Sequence, residues 1–263
     1  MPKVLILVAH RAGRSPSQRY RFEQYLPFLQ QSGFEFTWSP LLNEADDKVF
    51  YSRGNFLEKI IILLKGILIR LNDKKHMANH DIIFIQREAT FFGTSYFEKC
   101  AFKSGKKVIF DFDDSIWLED TSPGNKKWAW VKRPKKFFEN IKYAHAIIAG
   151  NKYLLDKAVD SLCGREGFSI TLIPTTVDTT IHVPKPELRN KEKVTIGWSG
   201  SFSTIKHFEE IVPVLNELIK KYPEKLQIKI LGDENYKNDE LNIQGIAWTN
   251  EKEVSELNSL TLA

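Results

Sequence analysis

Residues 194–233 read VTIGWSGSFSTIKHFEEIVPVLNELIKKYPEKLQIKILGD. A short apolar run, Val194–Ser199, ends in small polar residues. A helical spacing of apolar residues follows from Ile205 to Tyr222, and QIKIL is again a strand pattern. Strand, tight Gly/Ser turn, helix and strand make one βαβ unit. Small residues let bare backbone N–H groups approach a ligand, and a helix start adds the positive end of its dipole. Both suit a phosphate. Ser199, Gly200 and Ser201 form the turn, Thr204 and Lys206 follow it, and Gly232 closes the second strand. The spacing GxxxxGK[ST] is absent, so this is not a Walker loop.

Upstream of this unit the same alternation runs for about 170 residues, the length of an ordinary domain. Strands are expected at Val4–Ala9, Phe34–Ser39, Asp81–Arg87, Lys107–Asp113, Ala146–Gly150 and Ser169–Pro174. Helices are expected at Gln18–Gln31, Gly54–Leu71, Thr94–Lys103, Arg133–Tyr143 and Lys152–Ser161. Continuous apolar strands such as VLILVA and DIIFIQ imply burial on both faces, as in a parallel sheet. Residues 177–193, with Pro184 and Pro186, read as a linker. The expectation is α/β with two Rossmann-like lobes: 1–176, the linker 177–193, and 194–263. The second lobe reads as incomplete, with strands at Val194–Ser199, Gln227–Gly232 and Ile243–Trp248 and a helix from Glu251. NSLTLA then ends the chain without a turn signal.

The chain has 263 residues, 42% hydrophobic and 27% charged, which fits a globular protein rather than a disordered one. Its two cysteines, Cys100 and Cys163, imply no disulfide framework and suit a reducing cytoplasm. MPKVLILVAH lacks the length and cleavage site of a signal peptide and reads as a buried strand. No run reaches the roughly 18 apolar residues of a membrane span. The net charge of +5 is concentrated in two tracts. Residues 52–75 hold six cations against two acids, and residues 125–136, NKKWAWVKRPKK, hold six against none. Within Phe56–Leu71, Lys59, Lys65 and Arg70 interrupt an apolar helix. Such a helix either packs in a core with snorkelling cations or lies on anionic lipid. Trp128 and Trp130 between cations suit a membrane interface or a nucleic-acid strand.

Ligands of open α/β sheets bind beyond the carboxyl ends of the strands. There the sequence places HRAGRSPS, with His10 and Gly13 and with Arg11, Arg14, Arg19 and Arg21 able to fork onto phosphate or carboxylate. The bland reading is a loop with Ser17 capping the next helix. Arg87 and Glu88 follow the third strand. Asp111, Asp113 and Asp114 crowd the end of the fourth, where three carboxylates need a metal, arginines or solvent to stay ionised. Those carboxylates look like the first motif of the haloacid dehalogenase superfamily, with Asp111 as nucleophile and Asp113 as acid/base in a Mg-dependent phosphatase. The alternative to chemistry is that Asp111 or Asp114 caps and Asp113 pairs with an arginine.

The order SPSQRYRFEQYLPFL, QRE, FDFDDSIW, IIAGNKYLLDKA, IPTTVD and IGWSGS resembles GT-B glycosyltransferases of group 1, the family-4-like enzymes of bacterial surface-polysaccharide synthesis. The resemblance implies a nucleotide-diphosphate sugar as co-substrate, held by Gly13, Ser199, Gly200, Ser201, Lys206 and Gly232. It implies an acceptor, a glycan or lipid-linked precursor, held on the side of Arg14, Arg19, Arg21, Arg87 and Glu88. Candidates for a catalytic group are His10, Asp113 and Asp114. The expected transfer is retaining, with no bound metal, no cofactor and no nucleic-acid partner, in the cytoplasm or peripheral on the inner face of the cell membrane. An anionic membrane surface would meet residues 56–75 and 125–136. The family carries two glutamates seven residues apart downstream, a position this chain does not reach, so truncation and weak transfer are expected. A non-catalytic lipid- or nucleic-acid-binding module is the remaining alternative.

Overall fold

The computed structural model describes residues 1–52, 54–118, 133–200 and 204–262. The chain divides into two compact units, Met1–Thr176 and Val177–Ala263. The first contains strands β1 (Lys3–Val8), β2 (Glu35–Pro40), β3 (Ile82–Gln86), β4 (Lys107–Phe112), β5 (Ala146–Ala149) and β6 (Ser169–Leu172). All neighbours pair in parallel, in the order β2-β1-β3-β4-β5-β6. Along β1, Leu5 and Leu7 pack on one side with Ile83, Ile85, Phe110 and Phe112. Val4, Ile6 and Val8 pack on the other with Phe22. That alternation is why the strand reads as one unbroken apolar run.

Among the described residues, the helices of this unit are α1 (Pro16–Arg21), α2 (Leu26–Gln31), α3 (Glu44–Tyr51), α4 (Phe56–His76), α5 (Tyr96–Lys103), α6 (Phe137–Asn140) and α7 (Lys152–Ser161). The single helix expected at Gln18–Gln31 is broken. A 3-10 turn at Glu23–Tyr25 separates α1 from α2, and Pro27 sits in the first turn of α2, where its missing N–H costs nothing. Ser17 does not cap α1; Ser15 holds that position without a side-chain bond. The sequence reading had no helix at α3. Asn43 caps it, accepting from the Asp46 amide while Asp46 accepts from the Asn43 amide.

Helix α4 runs five residues past its expected end, and it is turned inside out. Lys59, Gly66, Arg70 and Asp73 are buried, whereas Leu57, Ile61, Leu64 and Leu68 are exposed. Lys59 donates to the Ser52 carbonyl at 2.6 Å, and Lys65 pairs with Asp46. Arg70, fully buried, donates to the carbonyls of Val8 (2.9 Å), Ser39 (3.1 Å) and Ala89 (2.5 Å) and to Asp73 (2.8 Å). The three cations expected to snorkel or to meet lipid are therefore all bonded within the protein.

The second unit contains β7 (Val194–Ser199), α8 (Ile205–Glu209), α9 (Val212–Lys221), β8 (Leu226–Leu231), β9 (Lys237–Asn238), β10 (Ile243–Gln244) and α10 (Asn250–Asn258). β7 and β8 pair in parallel, with Phe208, Val212 and Leu215 packed over Ile230. The helix expected through Ile205–Tyr222 is two helices, with Pro213 in the first turn of α9. Ile243–Gln244 forms a small antiparallel pair with β9 rather than a third parallel strand; Ile246 is the residue that bridges in parallel to Leu231. Residues 258–262 are also structured. Leu262 bridges in parallel to Ile196, Gly197 donates to the Leu262 carbonyl at 2.8 Å, and Leu260 is buried.

Candidate functional site

In the first unit the chain leaves β1 and returns on either side of it, through β2 and β3. This makes the carboxyl ends of β1 and β3 the switch point where open sheets leave a crevice. The loop after β1 is tied down by two side chains, the buried Gln18 and the half-buried Glu23. Gln18 accepts from the His10 amide and donates to the His10 carbonyl, each at 3.0 Å. Glu23 accepts from the Gly13 amide at 2.7 Å. Gly13 has φ of 75°, with nothing within 4 Å of a Cβ placed there, so the position demands glycine for its conformation rather than for space. Burial pushes the Glu23 carboxyl up, against the pull of the Gly13 amide, Gln18 and Arg19.

His10, just past the end of β1, meets a neighbour at each ring nitrogen but is hydrogen-bonded only at Nε2. Nδ1 lies 3.5 Å from Asp47 and Nε2 lies 3.3 Å from the Tyr51 hydroxyl, with the two rings stacked. Arg11 (3.3 Å) and Arg14 (2.5 Å) also reach Asp47. Burial alone would raise Asp47. The close approach and charge of His10 and the hydrogen bond and charge of Arg14 outweigh it and hold the carboxyl down at about 2. Asp47 and Tyr51 lie on α3, so the helix missing from the sequence reading supplies both anchors of His10.

The three aspartates at the end of β4 separate into three environments. Asp111 is buried against Arg21, whose Nη2 reaches it at 2.5 Å and whose Nη1 donates to the Ile173 carbonyl at the end of β6. Burial pushes the Asp111 carboxyl up, against Arg21. Asp113 receives Arg87 Nε at 2.8 Å. Burial pushes it up, but the Arg87 charge and hydrogen bonds from Arg87 and Ser17 leave it below its ordinary value. Asp114 is 71% exposed, 3.5 Å from Arg87, and accepts from the Ser115 amide. Arg87 itself has φ of 63°, a left-handed conformation that a side chain adopts at a cost of about 1–3 kcal/mol. Its amide donates to the Asp111 carbonyl at 2.7 Å. Glu88 pairs with Lys136 at 2.8 Å.

Asp111 is thus committed to Arg21, and among the described residues no group of three or more His, Cys, Asp or Glu side chains is placed to hold a metal ion. The phosphatase alternative, which needs Asp111 as a free nucleophile, is not favoured by this arrangement.

In the second unit, the turn after β7 is packed backbone against backbone. Gly232 has φ of 128°, and a Cβ on it would stand 1.6 Å from the Gly200 carbonyl oxygen. A Cβ on Gly200 would meet the Trp198 ring at 2.5 Å and Thr204 Oγ1 at 2.8 Å. The Gly200 amide donates to the Leu231 carbonyl at 3.0 Å, and the Gly232 amide to the Ile246 carbonyl at 2.8 Å. Both glycines are therefore required by close approach at the carboxyl ends of β7 and β8. Ser199 is at the last position of β7, and Lys206 is the second residue of α8. Ser201 lies outside the described residues. The helix after the turn is five residues long, so its dipole is weaker than the long helix of the sequence reading implies.

With this geometry in place, solved structures decide the fold. The chain is similar to a sucrose-phosphate synthase from Thermosynechococcus elongatus, with a TM-score of 0.59 and 11% identity over 99% of this chain and 74% of that one. The α,α-trehalose 6-phosphate synthase of Burkholderia multivorans gives 0.58 and 10% over 97% and 75%. A UDP-forming α,α-trehalose-phosphate synthase from Burkholderia vietnamiensis gives 0.53 and 10% over 98% and 68%. The fold is GT-B, with two Rossmann-like α/β lobes. No family model matches the chain, and no curated protein matches it by sequence.

Within the GT-B fold the expected residues fall into two groups. His10, Gly13, Arg14, Arg21, Arg87, Glu88, Asp113 and Asp114 gather at the strand ends of the first lobe. Arg19, on α1, stacks its guanidinium 4.9 Å from the Tyr20 ring centre. Ser199, Gly200 and Gly232 gather at the strand ends of the second. Gln18, Glu23, Asp47 and Tyr51 were missed by sequence reasoning, and Arg70 was read only as a snorkelling or lipid-facing cation; each acts by holding a neighbour. For Asp47 and Tyr51 a signal existed, the capping box Asn43–Asp46 in front of an eight-residue helix. Of the tract 125–136, residues 125–132, with Trp128 and Trp130, lie outside the described residues. Lys136 is buried, donating to the Thr90 and Phe92 carbonyls, and is not a surface cation.

Proposed function

We propose that this chain is a glycosyltransferase that takes its sugar from a nucleotide-diphosphate donor. The observation that supports this reading is the GT-B likeness, which extends over both units, 99% of the chain in the first comparison above. One of the similar enzymes is described as UDP-forming. In the proposal, the turn of Ser199, Gly200 and Ser201, with Gly232 beneath it and Lys206 beside it, holds the diphosphate. Bare backbone at a strand end suits that task, because amides and hydroxyls stabilise charge growing on the leaving phosphate. The acceptor, a glycan or lipid-linked precursor of a cell-surface polymer, belongs with the first lobe's Arg14, Arg19, Arg87 and Glu88. Arg21 acts there by fixing Asp111.

The proposed transfer is retaining and needs no bound metal, with the leaving diphosphate taking the acceptor's proton on the same face. His10, packed between Tyr51 and Asp47, orients the loop after β1 rather than removing a proton. Asp114 is the candidate carboxylate that solvent reaches. The proposed place of work is the cytoplasm, at the inner face of the cell membrane.

Titration of the chain with UDP, GDP and their sugar conjugates tests the reading. One nucleotide diphosphate should bind with Kd below about 1 mM, and Lys206→Ala should weaken it about tenfold. Absence of heat and of thermal stabilisation with every nucleotide would overturn it.

A further inference from the structure

The exposed face of α4 is apolar along most of its length. Leu57, Ile60, Ile61, Leu64, Leu68 and Leu71 are all exposed, Leu57 at 75%. At about 100° per residue these six fall within roughly 100° of arc, opposite the buried Lys59, Gly66, Arg70 and Asp73. The stripe is about 21 Å long at 1.5 Å per residue. Burial of the charges by hydrogen bonding forces this orientation, because rotating the helix to hide the leucines would strip Arg70 of its carbonyls.

One turn beyond Leu71 the surface changes character. A cavity of about 580 Å³ opens between the end of α4 and α5, lined by Lys74, Lys99 and Lys103 together with Tyr96 and Ser104. Among the described residues no carboxylate lines it. Lys74 donates to the Tyr96 hydroxyl at 2.7 Å, which holds an ammonium at the rim. Lys75 continues the azimuth of the stripe. Glu58, in the first turn, is the exposed acid of α4; Asp73 is turned inward. Apolar side chains that end on a cluster of ammonium groups match one surface, the acyl region and phosphates of an anionic bilayer.

We propose that α4 lies on an anionic membrane, with the leucine stripe in the acyl boundary and the Lys74–Lys99–Lys103 cavity on a lipid phosphate. The helix docks flat, since no helix among the described residues is long and apolar enough to cross a membrane. This gives a lipid-linked acceptor a surface to be met on, but the geometry is independent of the donor turn.

Co-sedimentation of the full chain with vesicles of phosphatidylcholine, alone and with phosphatidylglycerol, decides it without any nucleotide sugar. The chain should pellet with the mixed vesicles and far less with neutral ones. Lys99→Glu/Lys103→Glu should remove the dependence on phosphatidylglycerol, by on the order of a hundredfold in partitioning. Leu64→Glu/Leu68→Glu should lose binding to both vesicle types. These side chains are exposed, so unfolding transitions should be unchanged; if the leucine variant unfolds, the lysine variant carries the decision. Failure of the chain to pellet would overturn the proposal, as would leucine-variant binding equal to the parent. So would a dimer of the chain that the leucine variant dissociates while vesicle binding persists. Nucleotide binding in a chain that ignores vesicles would sink this inference and leave the proposed activity standing.

Discussion

A Cβ on Gly232 would stand 1.6 Å from the carbonyl oxygen of Gly200, across the carboxyl ends of two parallel strands. Backbone is the obstacle, so no rotamer change relieves it, and φ of 128° is strained for any side chain. Gly232→Ala should destabilise the second lobe by about 2–4 kcal/mol and abolish nucleotide binding. Thermal unfolding and calorimetry check this; a variant with parent stability and affinity contradicts the packing.

Arg21 and Asp111 form a pair almost sealed from solvent, 1% and 4% exposed. Removing one partner strands a buried charge. Arg21→Met or Asp111→Asn should each cost about 3–5 kcal/mol. The double replacement Arg21→Met/Asp111→Asn should cost less than the sum, and denaturant titration of the four proteins measures the coupling. Independent, additive losses would show that the pair does not act as a unit.

Arg70 reaches carbonyls from the ends of β1 and β2 and from the loop after β3, and so sets the floor beneath the first lobe's strand ends. Arg70→Met keeps the volume and removes one donor from each of those oxygens and from Asp73, which keeps only the Ser39 hydroxyl. A loss of about 3 kcal/mol or more is expected, seen as a lowered denaturation midpoint. Arg70→Lys should recover only part, because an ammonium cannot span the fork.

Asp47 is held down from 3.8 to about 2 in the folded chain. A depressed carboxyl stabilises the fold above its unfolded pKa, and that stability is lost as pH falls through the folded value. The loss should therefore fall between about pH 4 and 2 and amount to at most about 2 kcal/mol, since Arg11 and Arg14 are partly in water. Asp47→Asn should flatten stability against pH in that window. A parallel profile for parent and variant would count against the His10–Asp47–Arg14 cluster.

The amino-acid sequence carries the strands of the first lobe and the βαβ turn of the second in legible form. Strands buried on both faces are written as continuous apolar runs, and VLILVA or DIIFIQ admits few other readings. It also marked the strand ends where Arg87, Asp113 and the glycines gather, because polar and small residues interrupt the pattern there. Breaks at Pro27 and Pro213 were visible as residues but not as helix boundaries, since proline is equally at home in a first turn. The direction of α4, by contrast, is set by contacts distant in sequence. Both faces of FLEKIIILLKGILIRL carry leucine and isoleucine, so periodicity cannot say which is buried. The choice is made by carbonyls of Val8, Ser39 and Ala89, distant in sequence, which Arg70 satisfies only from inside. The same holds for Gly232, whose need to be glycine comes from an oxygen 32 residues upstream.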